Sequence, residues 1–159
     1  MRRIYREVIG IVINKDLLVF EWAAQFPILS EPLLFSYLAE QDGAAAIVPI
    51  QGDAVVKWHI DGSSVREYSF ALQLLRRISD STDNTNTGNV FILRQWVDWI
   101  MEQERIGSYP DFGARCSDYS LEVLSNMPML AQKFDNDMGM YQFFARLNYR
   151  EESDYGQTR

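Results

Sequence analysis

The feature that most limits the fold is a pair of two-residue-period runs joined by an Asp-Gly turn. Before the turn, Ala54, Val56, Trp58 and Ile60 alternate with Val55, Lys57 and His59. The turn is Asp61-Gly62-Ser63-Ser64. After it, Tyr68, Phe70, Leu72 and Leu74 alternate with Glu67, Ser69, Ala71 and Gln73. Successive side chains of a strand point to opposite faces, so the pattern predicts an antiparallel hairpin whose second strand is half-buried. A helix repeats every 3.6 residues and cannot sort such runs onto two faces.

The same period recurs elsewhere. Leu34-Phe35-Ser36-Tyr37-Leu38 and Ala46-Ile47-Val48-Pro49-Ile50 flank a turn signal, Gln41-Asp42-Gly43, and Gln51-Gly52-Asp53 reads as a further interruption. Tyr119, Leu121 and Val123 alternate with Asp118, Ser120 and Glu122. Tyr141, Phe143, Ala145, Leu147 and Tyr149 alternate with Gln142, Phe144, Arg146 and Asn148. Between these two strands, Pro128 and Asp135-Asn136-Asp137 mark a loop.

Helical spacing appears twice. Ile4, Val8, Ile11 and Val12 begin an apolar stripe over residues 3–26 that Val19, Trp22 and Phe26 continue. Gly10 and the β-branched residues weaken it, and Asn14-Lys15-Asp16 either ends or interrupts it. Pro27 and Pro32 make the next stretch a connector. Val90, Leu93, Val97 and Ile100, widened by Ile92, Trp96 and Trp99, predict a second helix to about Arg105, stopped by Gly107. Residues 79–89 carry no apolar side chain and predict a solvated loop, with Asn89 or Thr87 as the helix cap.

The element order predicts an α+β fold, a mostly antiparallel β-sheet with two main α-helices packed on one face. Residues 1–149 read as a single domain and 150–159 as a polar C-terminal tail. Two helices cannot hide both faces of the sheet, so the other face is polar or meets a partner. Phe144 and Leu124 break the polar side of their strands and favour a partner.

Composition then excludes several classes. A length of 159 residues suits one domain, and 47% apolar content argues against disorder. A net charge of −7 argues against a nucleic-acid-coating protein, which needs clustered cations. One cysteine, Cys116, and one histidine, His59, leave no disulfide framework and no Cys/His zinc cluster. No run approaches the length of a membrane-spanning helix. Met1-Arg2-Arg3 resembles a signal-peptide start, but Arg6-Glu7 interrupts it, so a reducing, non-exported setting is expected.

Catalytic signatures are absent: the phosphate-binding, nucleophile-elbow and dinucleotide motifs do not occur. Asp83 to Gly88 imitates a calcium loop, but the twelfth position is Arg94 where a bidentate Glu is needed. His59 has Asp61 two residues away on the same face but no nucleophile, and a structural role is favoured. Cys116 sits near Asp118 rather than a cation, which favours an inert thiol. Trp96 and Trp99 read as core or rim packing. Asp80, Asp83 and Asp111 read as solvated loop charges. Arg76-Arg77 is the compact basic spot beside the polar loop. It either pairs with a partner's carboxylates or ends an edge strand. No catalytic, cofactor-binding or metal-binding residue is assigned.

The stretch Val48-Pro49-Ile50, then Val55-Val56-Lys57-Trp58-His59-Ile60-Asp61-Gly62-Ser63-Ser64-Val65-Arg66-Glu67-Tyr68-Ser69-Phe70, carries a resemblance. It resembles the small "minor capsid" proteins of siphophages and prophages, often mislabelled as chloramphenicol-resistance proteins. Their pattern is V-P … V-[VK]-[KR]-x-[VI]-D-G-S-S-x-R-x-Y-x-F. The Trp-rich helix ending near Trp96–Glu102, Pro110, and Met140-Tyr141-Gln142 … Leu147-Asn148-Tyr149 agree at pattern level. The resemblance spans residues 44–149; residues 16–40 and the Glu151–Arg159 tail lie outside it.

The resemblance implies a non-enzymatic virion protein at the head–tail junction, similar to lambda-type tail terminators. It implies a homo-oligomer, a hexameric ring that caps the tail tube and joins it to the head connector. The implied partners are the major tail tube protein and a head connector or completion protein, with DNA passing through the lumen unbound and no membrane. The implied location is the virion, after synthesis in the bacterial host cytoplasm. Another head–tail connector, a head-completion or stopper protein, is the alternative; a small enzyme fits less well. Candidate interaction residues are Asp61, Gly62, Ser63, Ser64 and Arg66 in the turn motif, Arg76, Arg77, Asp80 and Asp83 beside the polar loop, and Phe144 and Arg146 on the sheet. Copies at −7 each would surround the channel with negative charge, so acidic side chains are expected to line it.

Overall fold

Two long strands form the spine of the molecule. In this computed structural model, which describes residues 13–80, 84–124 and 128–153, β3 (Ser64–Arg77) pairs with β6 (Met138–Glu151). The antiparallel register runs from Ser64 opposite Glu151 to Arg77 opposite Met138 without a shift. Residues paired in this way share a face. Tyr68, Phe70, Leu72 and Leu74 therefore lie beside Leu147, Ala145, Phe143 and Tyr141, and all are buried.

The remaining strands extend this pair. β2 (Ala45–Trp58) forms the predicted hairpin with β3, and β1 (Leu33–Phe35) adds to β2 in parallel. On the other side, β4 (Cys116–Val123) and β5 (Met129–Lys133) both pair antiparallel with β6. β4 takes the C-terminal half of β6 and β5 the N-terminal half, so they lie end to end along one flank. The order is β1-β2-β3-β6-β4, with β5 beside β6.

Among the described residues, two helices supply the second layer: α1 (Lys15–Ala23) and α2 (Thr85–Ile106). The buried positions of α2 are Asn89, Leu93, Trp96, Ile100 and Gln103, a spacing of three and four that makes one helical stripe. Gly107 ends the helix at φ 72°, a left-handed conformation that glycine adopts without a Cβ clash. Aromatic rings join the layers. Phe26 stacks on Trp96 at 5.2 Å, and Trp96 meets Phe143 edge-on at 5.8 Å. Trp22 packs edge-on to Phe70 at 6.3 Å. The fold is α+β, as the element order predicts.

Local differences from the sequence pattern have physical causes. At Asn14 a helix starts: its side chain accepts the Leu17 N–H at 3.0 Å. The earlier part of that stripe, Ile4 to Val12, lies outside the described residues. The expected strand 34–38 is shorter, and Ser36 already has φ 53°. Gln51-Gly52-Asp53 does not divide the chain into two strands. β2 runs through it and absorbs the irregularity in register shifts between Pro49 and Gln51, Gln51 and Ala54, and Val55 and Lys57.

The cap of α2 also differs: it is Asn84, not Thr87 or Asn89. Asn89 is inside the helix and 1% exposed. It accepts from Arg76 Nε at 3.1 Å and donates to the Arg77 carbonyl at 2.7 Å, which satisfies a buried amide. β5 falls in the expected loop. All five of its residues are exposed, so no burial period marks it, and backbone pairing with β6 holds it. β6 continues through Arg150 and Glu151 into the polar end of the chain.

Trp96 fills the centre of the interlayer contact. Trp96→Ala is expected to cost about 3–5 kcal/mol by chemical denaturation, the range for removing a large aromatic from a core. Met101→Ala, on the exposed side of α2, is expected to stay within about 0.5 kcal/mol of the unaltered protein.

Candidate interaction surfaces

The Asp61–Ser64 motif builds the turn between β2 and β3. Asp61 Oδ1 accepts the Ser63 N–H at 2.9 Å and the Ser63 hydroxyl at 2.6 Å, closing an Asx-type turn. Gly62 follows at φ 85°. That left-handed backbone favours glycine, and a Cβ there would also displace the Ser153 side chain, whose Oγ lies 2.6 Å from its position. Arg150 of β6 reaches Asp61 Oδ2 at 3.2 Å and Ser63 Oγ at 3.1 Å. The Ser63 hydrogen bonds, then the Arg150 charge, hold the Asp61 carboxyl below its ordinary range. His59 contributes a backbone N–H to the Ser63 carbonyl at 2.8 Å.

Arg66 belongs to a second, deeper cluster. Lys15, Asp53, Arg66 and Glu151 form a closed ring of ion pairs. Lys15 Nζ lies 2.9 Å from Asp53 and 3.1 Å from Glu151. Arg66 lies 3.3 Å from Asp53 and 2.9 Å from Glu151. Each cation thus touches both carboxylates, and four elements are tied at one point: α1, β2, β3 and β6. Tyr149 donates its hydroxyl to Asp53, and Lys15 lies 4.9 Å from the centre of the Tyr149 ring.

Burial pushes the Asp53 carboxyl up. Hydrogen bonds from Tyr149 and Lys15, with the Lys15 and Arg66 charges, outweigh burial and leave it lowered. Asp53 also holds φ 53°, the left-handed conformation that Asp tolerates better than most side chains. The chemistry here is a clamp at the bulged part of β2. Nearby Cys116 is a buried thiol that burial, then Glu151, pushes up to about 11, away from the thiolate.

The other candidate residues lie apart. Arg76 and Arg77 sit at the opposite end of β3. Arg76 bonds Asn89 and lies 3.9 Å from Asp42, while the Arg77 N–H bonds Asp42 Oδ1 at 2.9 Å. Asp80 is exposed beside them, and Asp83 lies outside the described residues. Phe144 and Arg146 occupy the sheet face away from the helices, where Arg146 pairs with Glu122 and lies 3.5 Å from Glu67. The described residues singled out from the sequence therefore form four groups, not one site: the turn, Arg66 in the clamp, Arg76 and Arg77 with Asp80, and Phe144 with Arg146.

Two surfaces lie outside the candidate interaction residues named from the sequence. Beyond Pro49, β2 and its turn form an arm that exposes Ile50, Val55, Val56, Trp58 and Ile60. Trp58 is 64% exposed and Ile60 fully so, with the Arg66 guanidinium 5.9 Å from the Trp58 ring. Apolar side chains scattered singly are ordinary on a surface; here five exposed ones fall within residues 50–60. The second surface is a cleft of about 430 Å³ on the sheet face opposite the helices. The β1–β2 connector and the β5–β6 turn wall it, over a small buried cluster of Ala44, Leu75 and Met138.

No protein-family model matches the chain, and a search of curated proteins finds no match. Among the described residues, no helix is long and apolar enough to cross a membrane.

The clamp generates a pH prediction. A carboxyl lowered by folding stabilises the fold above its unfolded value, and that contribution is lost as pH falls through the folded value. The unaltered protein should therefore lose denaturation midpoint between about pH 5 and pH 2. Asp53→Asn should be less stable at neutral pH and show a shallower fall on acidification, measured by urea titration at each pH.

Proposed function

We propose that the chain is a structural subunit of a phage virion, a tail terminator that forms a ring, caps the tail tube and joins it to the head connector. The observation that carries this reading is the apolar arm built on the Asp61–Ser64 turn. The arm coincides with the most distinctive part of the resemblance to the minor capsid proteins. A monomer gains nothing from exposing Trp58 and Ile60, whereas a subunit buries them on assembly.

The chemistry of the site supports a role in contact rather than catalysis. The clamp commits Lys15, Arg66, Asp53 and Glu151 to one another, and Cys116 is a buried thiol. His59 sits in the arm turn with its backbone used to close it. Nothing in this set presents a nucleophile beside a base, the minimum for covalent catalysis. The net charge of −7 suits a channel past which DNA slides without sticking.

Electron microscopy of purified protein mixed with tail tubes tests the reading. A sixfold ring on one end of each tube is the expected outcome. Binding to portal-bearing heads and not to tubes would replace it with the head-completion or stopper alternative. The assembled ring is further expected to leave duplex DNA unretarded in a gel-shift measurement at physiological salt. An assembly with a lumen lined mainly by Lys and Arg would overturn that expectation.

A further inference from the structure

The second half of β2 is secured unlike the rest of the sheet. None of residues 48–58 is buried, whereas Ala45, Ala46 and Ile47 before them are. β1 pairs with the other edge of β2 only as far as Ile47. From there on, among the described residues, β3 is its one partner strand, and the register shifts repeatedly. Pro49 has no N–H to donate opposite Phe70, and Ile50, Gly52, Asp53 and Val56 have no residue paired with them. β3 does not depend on this stretch, because β6 holds its other edge without a shift.

Both ends of the stretch are fixed. Ala45 to Ile47 are buried within the sheet, and beyond Trp58 the turn is held by Arg150 through Asp61 and Ser63. Between these ends Asp53 reaches into the body of the fold, to Lys15, Arg66 and Tyr149. Trp58 adds a ring contact, 5.9 Å from the Arg66 guanidinium.

Asp53 can leave without stranding a charge. Glu151 of β6 holds Lys15 at 3.1 Å and Arg66 at 2.9 Å, so both cations keep a carboxylate. Tyr68 keeps its bond to Asp16, since neither belongs to β2. The Asp53 side chain is 37% exposed and already part-hydrated. The Tyr149 hydroxyl loses its acceptor, and water entering behind Asp53 replaces it. Release also frees Asp53 from φ 53°, a conformation that costs an L-residue energy.

We propose that residues 51–58 form a strap that lifts from β3 as one unit while the rest of the fold stays closed, with Asp53 as its latch. Lifting turns β3 from Val65 to Ser69 into an open sheet edge and moves Val55, Val56 and Trp58 relative to the sheet. The strap is a property of the single chain and does not rest on the virion reading.

An opening of this kind has its own free energy and exposes its own, small amount of surface. Native-state hydrogen exchange on the full chain, in a urea series below the unfolding transition, tests it. The protected amides of residues 51–58 are expected to share one shallow urea dependence. They should exchange about a hundredfold or more faster than those of Phe70, Leu72 and Phe143. Asp53→Asn should speed the strap amides by about tenfold, the loss of charge-assisted hydrogen bonds. Ile100→Val, in the buried stripe of α2, should speed the slowest β3–β6 amides and leave the strap amides as they were.

Strap amides that follow the steep urea dependence of the β3–β6 amides overturn the proposal, because the stretch then opens only with the whole protein. Rates that grade from Trp58 inward also overturn it, since that is fraying from the turn. So does Asp53→Asn without effect on the strap, or Ile100→Val acting equally on strap and core. The urea series on the unaltered protein decides the opening without any variant, and it reads neither tubes nor rings.

Discussion

The unbroken pairing of β3 with β6 is the constraint on which the rest depends. A strand has a period of two, so a slip of one residue would move every side chain to the other face. In the observed register, Phe70 faces Ala145 and Leu72 faces Phe143, a bulky residue beside a small or complementary one. A slip would bury Arg146 and Gln142 under the helices and expose Phe143. The cost of unpaired buried polar groups makes that alternative inaccessible. Everything else is placed relative to this ladder: α2 by Trp96 against Phe143, and α1 by Trp22 against Phe70.

β2 shows what happens where the ladder is less regular. Next to β3 its first residues, Ala45 to Ile47, are buried and in register. Beyond Pro49 the register shifts repeatedly, and apolar burial no longer holds the strand. Ion pairs hold it instead, at the point where Asp53 bulges inward to Lys15, Arg66 and Tyr149. Isolated surface pairs contribute little, but a closed network with its cations 12% and 19% exposed is a stronger restraint. The bulges also blunt the free edge of β2 against indiscriminate strand addition. That stretch of β2 is left presenting side chains rather than a regular backbone edge.

Much of this architecture was legible in the sequence because burial and period coincide. β3 and β6 alternate almost perfectly and were read as strands, and α2 carries its apolar stripe to a Gly107 stop. β5 was missed because an exposed edge strand has no burial pattern to betray it. The start of α1 was missed because Asn serves as both a breaker and a cap, and only the Leu17 contact distinguishes them. Gly52-Asp53 did carry a usable signal: two residues tolerant of positive φ inside an alternating run suggest a bulge as readily as a turn.

The candidate surfaces were legible to a lesser degree, for a reason that lies in the physics of alternation. Val56, Trp58 and Ile60 follow the same two-residue pattern as Phe70, Leu72 and Leu74, yet only the second set is covered. Period reports that a strand has two faces; it says nothing about whether a layer exists to cover either. α1 and α2 lie over the centre of the sheet, where Trp22 meets Phe70 and Trp96 meets Phe143, and the arm extends past that cover. The cleft was hidden for the converse reason. Its walls come from residues 38–40 and 134–136, which become neighbours only through the pairing of β2 with β3 and β3 with β6. A surface made by one continuous hairpin leaves a motif in the sequence, as Asp61–Arg66 does. A surface made by distant loops leaves none, because its residues become neighbours only when the strands pair.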